Sequence, residues 1–136
     1  MNFNEADLLL KLLMSAQGMG QDDDGERTKE IDKLAGMLAS ADIPYKRITR
    51  FNGAQICYYG PHGRQLPPGV KEENCGPGVG AVCSVIPFRD MDGSFSLEIS
   101  GLMTDEEYER THDTVLGGLS AENVFERIRK HYTENK

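Results

Sequence analysis

Apolar residues follow two rhythms along this chain. Near both ends they recur every three or four positions, and in the middle they alternate or cluster. Ile31, Leu34, Ala35, Leu38 and Ala41 share one side of a helical wheel with charges opposite, which predicts a helix over residues 26–41. Asp42 and Pro44 mark its end. Three further helix starts carry capping chemistry, in which a side-chain oxygen accepts an orphan backbone N–H while the flanking apolar residues meet across the first turn. Asn4 lies between Phe3 and Leu8, Thr104 between Met103 and Tyr108 with Glu107 as capping-box partner, and Ser120 between Leu119 and Val124. Helices are therefore predicted over 4–16, 104–112 and 120–132. Residues 17–25 connect the first two, with Asp22, Asp23 and Asp24 near a positive helix end. Gly117-Gly118 separates the last two.

The middle predicts strands. Segments 45–51 and 54–59 flank Asn52-Gly53, and 81–88 and 94–100 flank Asp92-Gly93, both strong hairpin turns. Pairing through the first turn puts Tyr45, Arg47, Thr49, Phe51, Ala54, Ile56 and Tyr58 on one face, the better core face, and Lys46, Ile48, Arg50, Gln55, Cys57 and Tyr59 on the other. Phe95, Leu97 and Ile99 point inward from the last strand, and the doubly apolar third strand belongs at the centre. The glycine- and proline-rich stretch 60–80 is long enough to be either functional or disordered. The expected fold class is α+β, a single domain over 1–136. It has an antiparallel sheet of about four strands in two hairpins, helices on one face and the order α-α-β-β-β-β-α-α.

Composition narrows the function classes. The 136 residues suit one domain. A net charge of -7 repels phosphate backbones, so nucleic-acid binding is not expected. The most apolar run, Leu8 to Met14, is interrupted by Lys11 and far short of a bilayer span, so no membrane role is expected. Glu5 and Asp7 stand where an export signal carries positive charge, and the three cysteines are too few for a disulfide framework; both features point to the cytoplasm.

Several groups of residues carry candidate chemistry. Cys57, His62, Cys75 and Cys83 are the right donor types for zinc, but they form no paired C-x2-C knuckle, and cysteines inside strands also serve as small apolar core residues. No cofactor is expected, with zinc the alternative. The run Gly76-Pro77-Gly78-Val79-Gly80 offers backbone N–H groups to an anion, yet leads into a strand and reads better as a turn. Asp90-Met91-Asp92-Gly93 resembles the start of a calcium loop without its later ligands. His62, His112 and His131 stand beside no nucleophile in an elbow, so no catalytic residue is expected.

Charge is also segregated. Residues 45–64 hold Lys46, Arg47, Arg50 and Arg64 and no carboxylate, whereas Asp105, Glu106, Glu107 and Glu109 cluster later. These zones either pair with one another or meet a partner. Leu8, Leu9, Leu10, Leu12 and Leu13 wrap most of the first helix, so its second apolar side is buried inside the chain, by a second copy or by another protein. Leu9, Leu13, Lys46, Arg47, Arg50, Asp105, Glu106 and Glu107 are accordingly the candidate partner-binding residues.

The segments from Asp42-Ile43-Pro44-Tyr45 through Ala81 to Ile86, Gly93-Ser94-Phe95, and Leu97 to Leu102, with the close Leu119 to Ile128, resemble small uncharacterised proteins of prophages and integrated elements in Gram-positive gut bacteria. The likeness covers roughly residues 40–130 and leaves out the leucine-rich start. It implies a mobile-element setting and no particular activity. The expectation is a non-enzymatic protein that binds an unidentified protein partner. Alternatives are an acidic inhibitor presenting carboxylates in place of phosphates, a zinc-stabilised module, and a small-molecule binder using 60–80 as a lid.

Overall fold

The computed structural model of the chain describes residues 21–50 and 53–136. The helix predicted over 4–16, with Leu9 and Leu13, lies outside the described residues. The first described helix, α1, spans Gln21–Ser40. It begins five residues before the predicted start, so Asp22, Asp23 and Asp24 belong to its first turn rather than to a connection. Acidic residue types are favoured in a first turn, at the positive end of the helix dipole. Its apolar side, Ile31, Leu34 and Leu38, is fully buried. The helix closes where Asp42 turns left-handed at φ 59, which lets Ile43 N–H donate to Leu38 O at 3.0 Å and Asp42 N–H to Ala39 O at 3.1 Å.

Five strands follow: β1 Lys46–Arg50, β2 Gly53–Tyr58, β3 Cys83–Arg89, β4 Phe95–Ser100 and β5 Val115–Leu119. They form one antiparallel meander in chain order. α2 (Asp105–Thr111) precedes β5, and α3 (Ala121–Asn135) closes the chain. The α+β class and the antiparallel sheet agree with the sequence reading; the strand number and helix order differ. The described order is α-β-β-β-β-α-β-α, and β5 occupies the place predicted to be a connection between helices. Its two glycines are there for space and conformation. A Cβ on Gly117 would stand 2.7 Å from the Phe88 ring, which lies across it. Gly118, at φ 75, lies where the register slips by one residue between Leu97↔Leu119 and Ile99↔Leu116.

The first hairpin pairs Arg50 with Gly53, not Phe51 with Ala54. Every cross-strand partner is thereby displaced by two residues, and a displacement of two leaves each side chain on its predicted face. Ile56, Tyr58, Val85, Leu97 and Ile99 point toward α1 and α3 and meet Val124 and Ile128 in one core. α2 buries nothing of its own.

Candidate functional site

Residues 60–80, expected to be either functional or disordered, form a loop built around Arg64. Its guanidinium side chain is only 9% exposed. Nε donates to Val79 O at 2.8 Å, Nη2 donates to Gly76 O, and Cys75 Sγ stands 3.4 Å from Nη2. Nη1 faces Glu72 at 3.4 Å. The guanidinium carbon lies 5.2 Å from the centre of the Tyr59 ring, and Tyr59 Oη donates to Pro77 O at 2.5 Å. Burial, first of all, raises the Tyr59 phenol above its ordinary value. The glycine run thus turns carbonyls inward to a cation. The N–H groups of Val79 and Ala81 go to Gly76 O and Gly78 O within the loop. An anion cradle needs those N–H groups to converge on a ligand.

The four proposed zinc ligands do not converge. Cys57 and Ser84 are cross-strand partners on the outer face of the sheet, with Sγ and Oγ 3.8 Å apart. Cys83 lies on the helix-facing side with Tyr58. Both cysteines are fully buried, and burial pushes the Cys83 thiol up to about 12. Cys75 belongs to the Arg64 loop, and His62 Nε2 lies 2.9 Å from Asn135 O. Among the described residues no three His, Cys, Asp or Glu side chains gather around a metal position.

His62 and His131 fasten the end of α3. His131 Nδ1 lies 2.9 Å from Tyr58 Oη, and the rings meet edge-on at 5.5 Å. Tyr58 is fully buried, and that burial raises its phenol to about 12. His112, at φ 54, caps the end of α2. The Asp90–Asp92 pair is bound by its own hairpin: Ser94 and Ser96 hydroxyls donate to the two carboxylates at 2.6–3.2 Å.

Among the described side chains, Arg47, Arg64 and Glu107 pair with residues other than those of the opposite zone. Arg47 meets Asp32 on α1 at 2.6 Å. Lys46 is exposed, and Arg50 is described only as a strand residue. Asp105 and Glu106 are exposed in the first turn of α2. Glu107 is a structural clamp: Oε1 and Oε2 accept from Arg127 Nη1 and Nη2 at 2.8 and 2.6 Å, and Oε1 also accepts from Thr104 N–H at 2.9 Å. Arg127 donates further to Leu102 O at 3.0 Å and Asn123 at 2.6 Å. The Arg127 guanidinium, foremost by its hydrogen bonds, holds the Glu107 carboxyl down at about 2. The capping-box spacing marks Glu107 in the sequence, but nothing there marks Arg127 as its partner.

A trough of about 720 Å³ runs beside α3. Leu102 and Met103 form one wall, and Glu122, Glu126, Lys130 and Glu134 mark its course along the helix. From 122 to 134 a helix rises about 18 Å. No known protein family, curated protein or solved structure matches the chain. No described helix is long and apolar enough to cross a membrane.

Proposed function

We propose that this chain is a non-enzymatic accessory protein, encoded by a phage or mobile element, that works in the cytoplasm by binding another protein. One observation carries the reading. The described side chains best suited to nucleophilic or acid–base work are engaged in holding the fold: His131 on Tyr58, His62 on the end of α3, Cys57 and Cys83 in the sheet, and Glu107 on Arg127. An open feature among the described residues is a trough with an apolar wall and charges of both signs, of a length to receive a helix or an extended segment. Apolar contact at the centre with charges at the rim is the usual anatomy of a protein interface. The mobile-element setting rests on the resemblance read from residues 40–130 of the sequence alone.

The test is affinity capture from a host lysate with three proteins: the natural chain, a trough variant Met103→Glu/Lys130→Glu, and a control Lys29→Glu, exposed on α1 and outside the trough. The expected result is a partner held by the natural chain and the control and lost by the trough variant. An identical set of captured proteins for all three, or substrate turnover by the natural chain, overturns the reading.

A further inference from the structure

Phe95 begins β4 on the helix-facing side of the sheet, in step with the core residues Leu97 and Ile99. Two guanidiniums lie over its ring. The Arg27 and Arg89 guanidinium carbons each stand 5.2 Å from the ring centre. The fold places both side chains. Arg89 is the cross-strand partner of Phe95. The stem of Arg27 runs so close to the first hairpin that a Cβ at Gly53 would stand 3.3 Å from its Cδ. The two guanidinium carbons are at most twice the ring distance apart, so two like charges converge on one aromatic group.

Other arginines show the contrast. Arg47, Arg64, Arg127 and Arg129 each face a carboxylate. Acids are not scarce, since the chain holds 22 acidic residues against 15 lysines and arginines. Yet among the described residues Arg27 and Arg89 have neither a carboxylate partner nor a hydrogen-bond acceptor. Asp90, next to Arg89 in the chain, accepts from the Ser94 and Ser96 hydroxyls. Glu30, one turn on from Arg27, accepts from Ala121 N–H. Stacking on a ring uses the face of a guanidinium and leaves the N–H donors at its edges unspent. Such forks match the oxygens of a phosphate, which accept from them in pairs. Beside the ring is an open hollow of about 410 Å³, where Phe95 and Leu119 supply apolar wall. Lys33 and Glu122 at its rim already form an ion pair with each other.

We propose that Arg27, Arg89 and Phe95 form a site for a phosphate monoester, with the phosphate between the two guanidinium edges and its organic group in the hollow between Phe95 and Leu119. Charge favours a monoester over a singly charged acid: it carries about −1.5 to −2 at pH 7, against two fixed positive charges. The inference stands apart from the trough beside α3.

The probe is phenyl phosphate, titrated into the full-length chain while the arginine Nε–Hε signals are followed by NMR. The expected result is a saturable shift of the Arg27 and Arg89 signals, with those of Arg110 and Arg129 unmoved. Arg27→Gln and Arg89→Gln are each expected to weaken binding at least about tenfold, through loss of one charge-assisted fork. Arg110→Gln, the same change at an exposed position of α2, leaves binding as it was. Backbone amide spectra of the three variants confirm that the fold is kept, and the shifts in the natural chain locate the site independently of any variant. A short phosphotyrosine peptide, run beside phenyl phosphate, separates the sources of the ester. Tighter binding of the peptide assigns a phosphorylated protein, equal binding assigns a free ester, and either supports the site. No saturable shift with phenyl phosphate, shifts spread evenly over the arginines, or equal losses in all three variants overturns it.

Discussion

Glu107→Gln removes one charge from the clamp that ties α2 to α3, and its cost follows from the geometry. The carboxylate receives two guanidinium N–H groups and the Thr104 backbone N–H, and the Arg127 and Glu107 side chains are 17% and 15% exposed. Exposed ion pairs contribute about 0–1 kcal/mol. Breaking a buried pair costs about 3–5 kcal/mol, because the remaining charge is stranded. A pair with this burial lies between, at ~2 kcal/mol. The carboxyl itself gives a second route. A fall from 4.5 to about 2 corresponds to a ceiling of ~3.4 kcal/mol. Water still reaches part of the pair, and discounting for that screening again gives ~2 kcal/mol. The folded-state value lies below the unfolded one, so this stability is present above pH 4.5 and is lost as pH falls from there through about 2. Urea unfolding of the natural chain and the variant at neutral pH is expected to differ by ~2 kcal/mol, or about 6–8 °C in Tm. Repeated at acid pH, the two curves converge. A difference below about 0.5 kcal/mol at neutral pH, which is the scale of an ordinary surface substitution, or a gap that persists at pH 2, refutes the reasoning.

Other outcomes follow from single sites. Gly101→Ala places a Cβ 2.1 Å from Val82 O at φ 98, and is expected to cost about 2–3 kcal/mol in chemical denaturation; Gly36→Ala, exposed in α1 with nothing within 4 Å, is expected to gain up to ~1 kcal/mol. Of the three described cysteines, part-exposed Cys75 is expected to react with a chromogenic disulfide in the native state, while Cys57 and Cys83 react only on unfolding; prompt labelling of all three contradicts their burial. Tyr58 is expected to ionise near 12, a step that Tyr58→Phe removes from the ultraviolet phenolate titration. Its folded value is raised, so the associated stability is complete below pH 10 and disappears as pH rises through about 12. Gln55→Met removes the buried carbonyl that lacks a donor, and is expected to raise stability by ~1 kcal/mol, measured by urea midpoint.

The elements that were legible are those whose signal is local. Thr104 and Ser120 form the caps their spacing predicts, with Glu107 N–H and Asn123 N–H donating to the two hydroxyls at 3.1 Å. The apolar side of α1 is the one its periodicity marks. The start of α1 was less legible because a glycine and three successive aspartates have poor interior propensity, although acids suit a first turn. β5 left almost no local trace. Val-Leu-Gly-Gly-Leu has poor strand propensity, and its glycines make sense only once Phe88, 29 positions earlier, is seen lying over Gly117. The hairpin shows the complementary case. The Asn52-Gly53 signal puts the turn one residue late, yet the described side chains of both strands keep their predicted faces, because the alternation that fixes faces is insensitive to a displacement of two.

Charge was the least legible property, and the reason bears on function. Along the sequence, residues 45–64 look like a cationic zone awaiting an acidic partner. In space Arg47 is taken by Asp32, 15 positions earlier, and Arg64 faces Glu72 and two inward-turned carbonyls. The acidic run at 105–109 likewise gives up Glu107 to Arg127. Three members of the segregated zones, Arg47, Arg64 and Glu107, thus sit in short-range pairs, and such pairs present little field to a distant ligand at physiological ionic strength, where the screening length is about 8 Å. A partner that recognises this chain therefore gains more from apolar contact than from steering by opposed charge. Leu102 and Met103 in the trough, with Lys130 and Glu134 beside them, supply that contact from a rigid helix and its clamp. On this reasoning, binding through the trough changes little between low and physiological salt, whereas a mimic of nucleic acid loses affinity steeply over the same range.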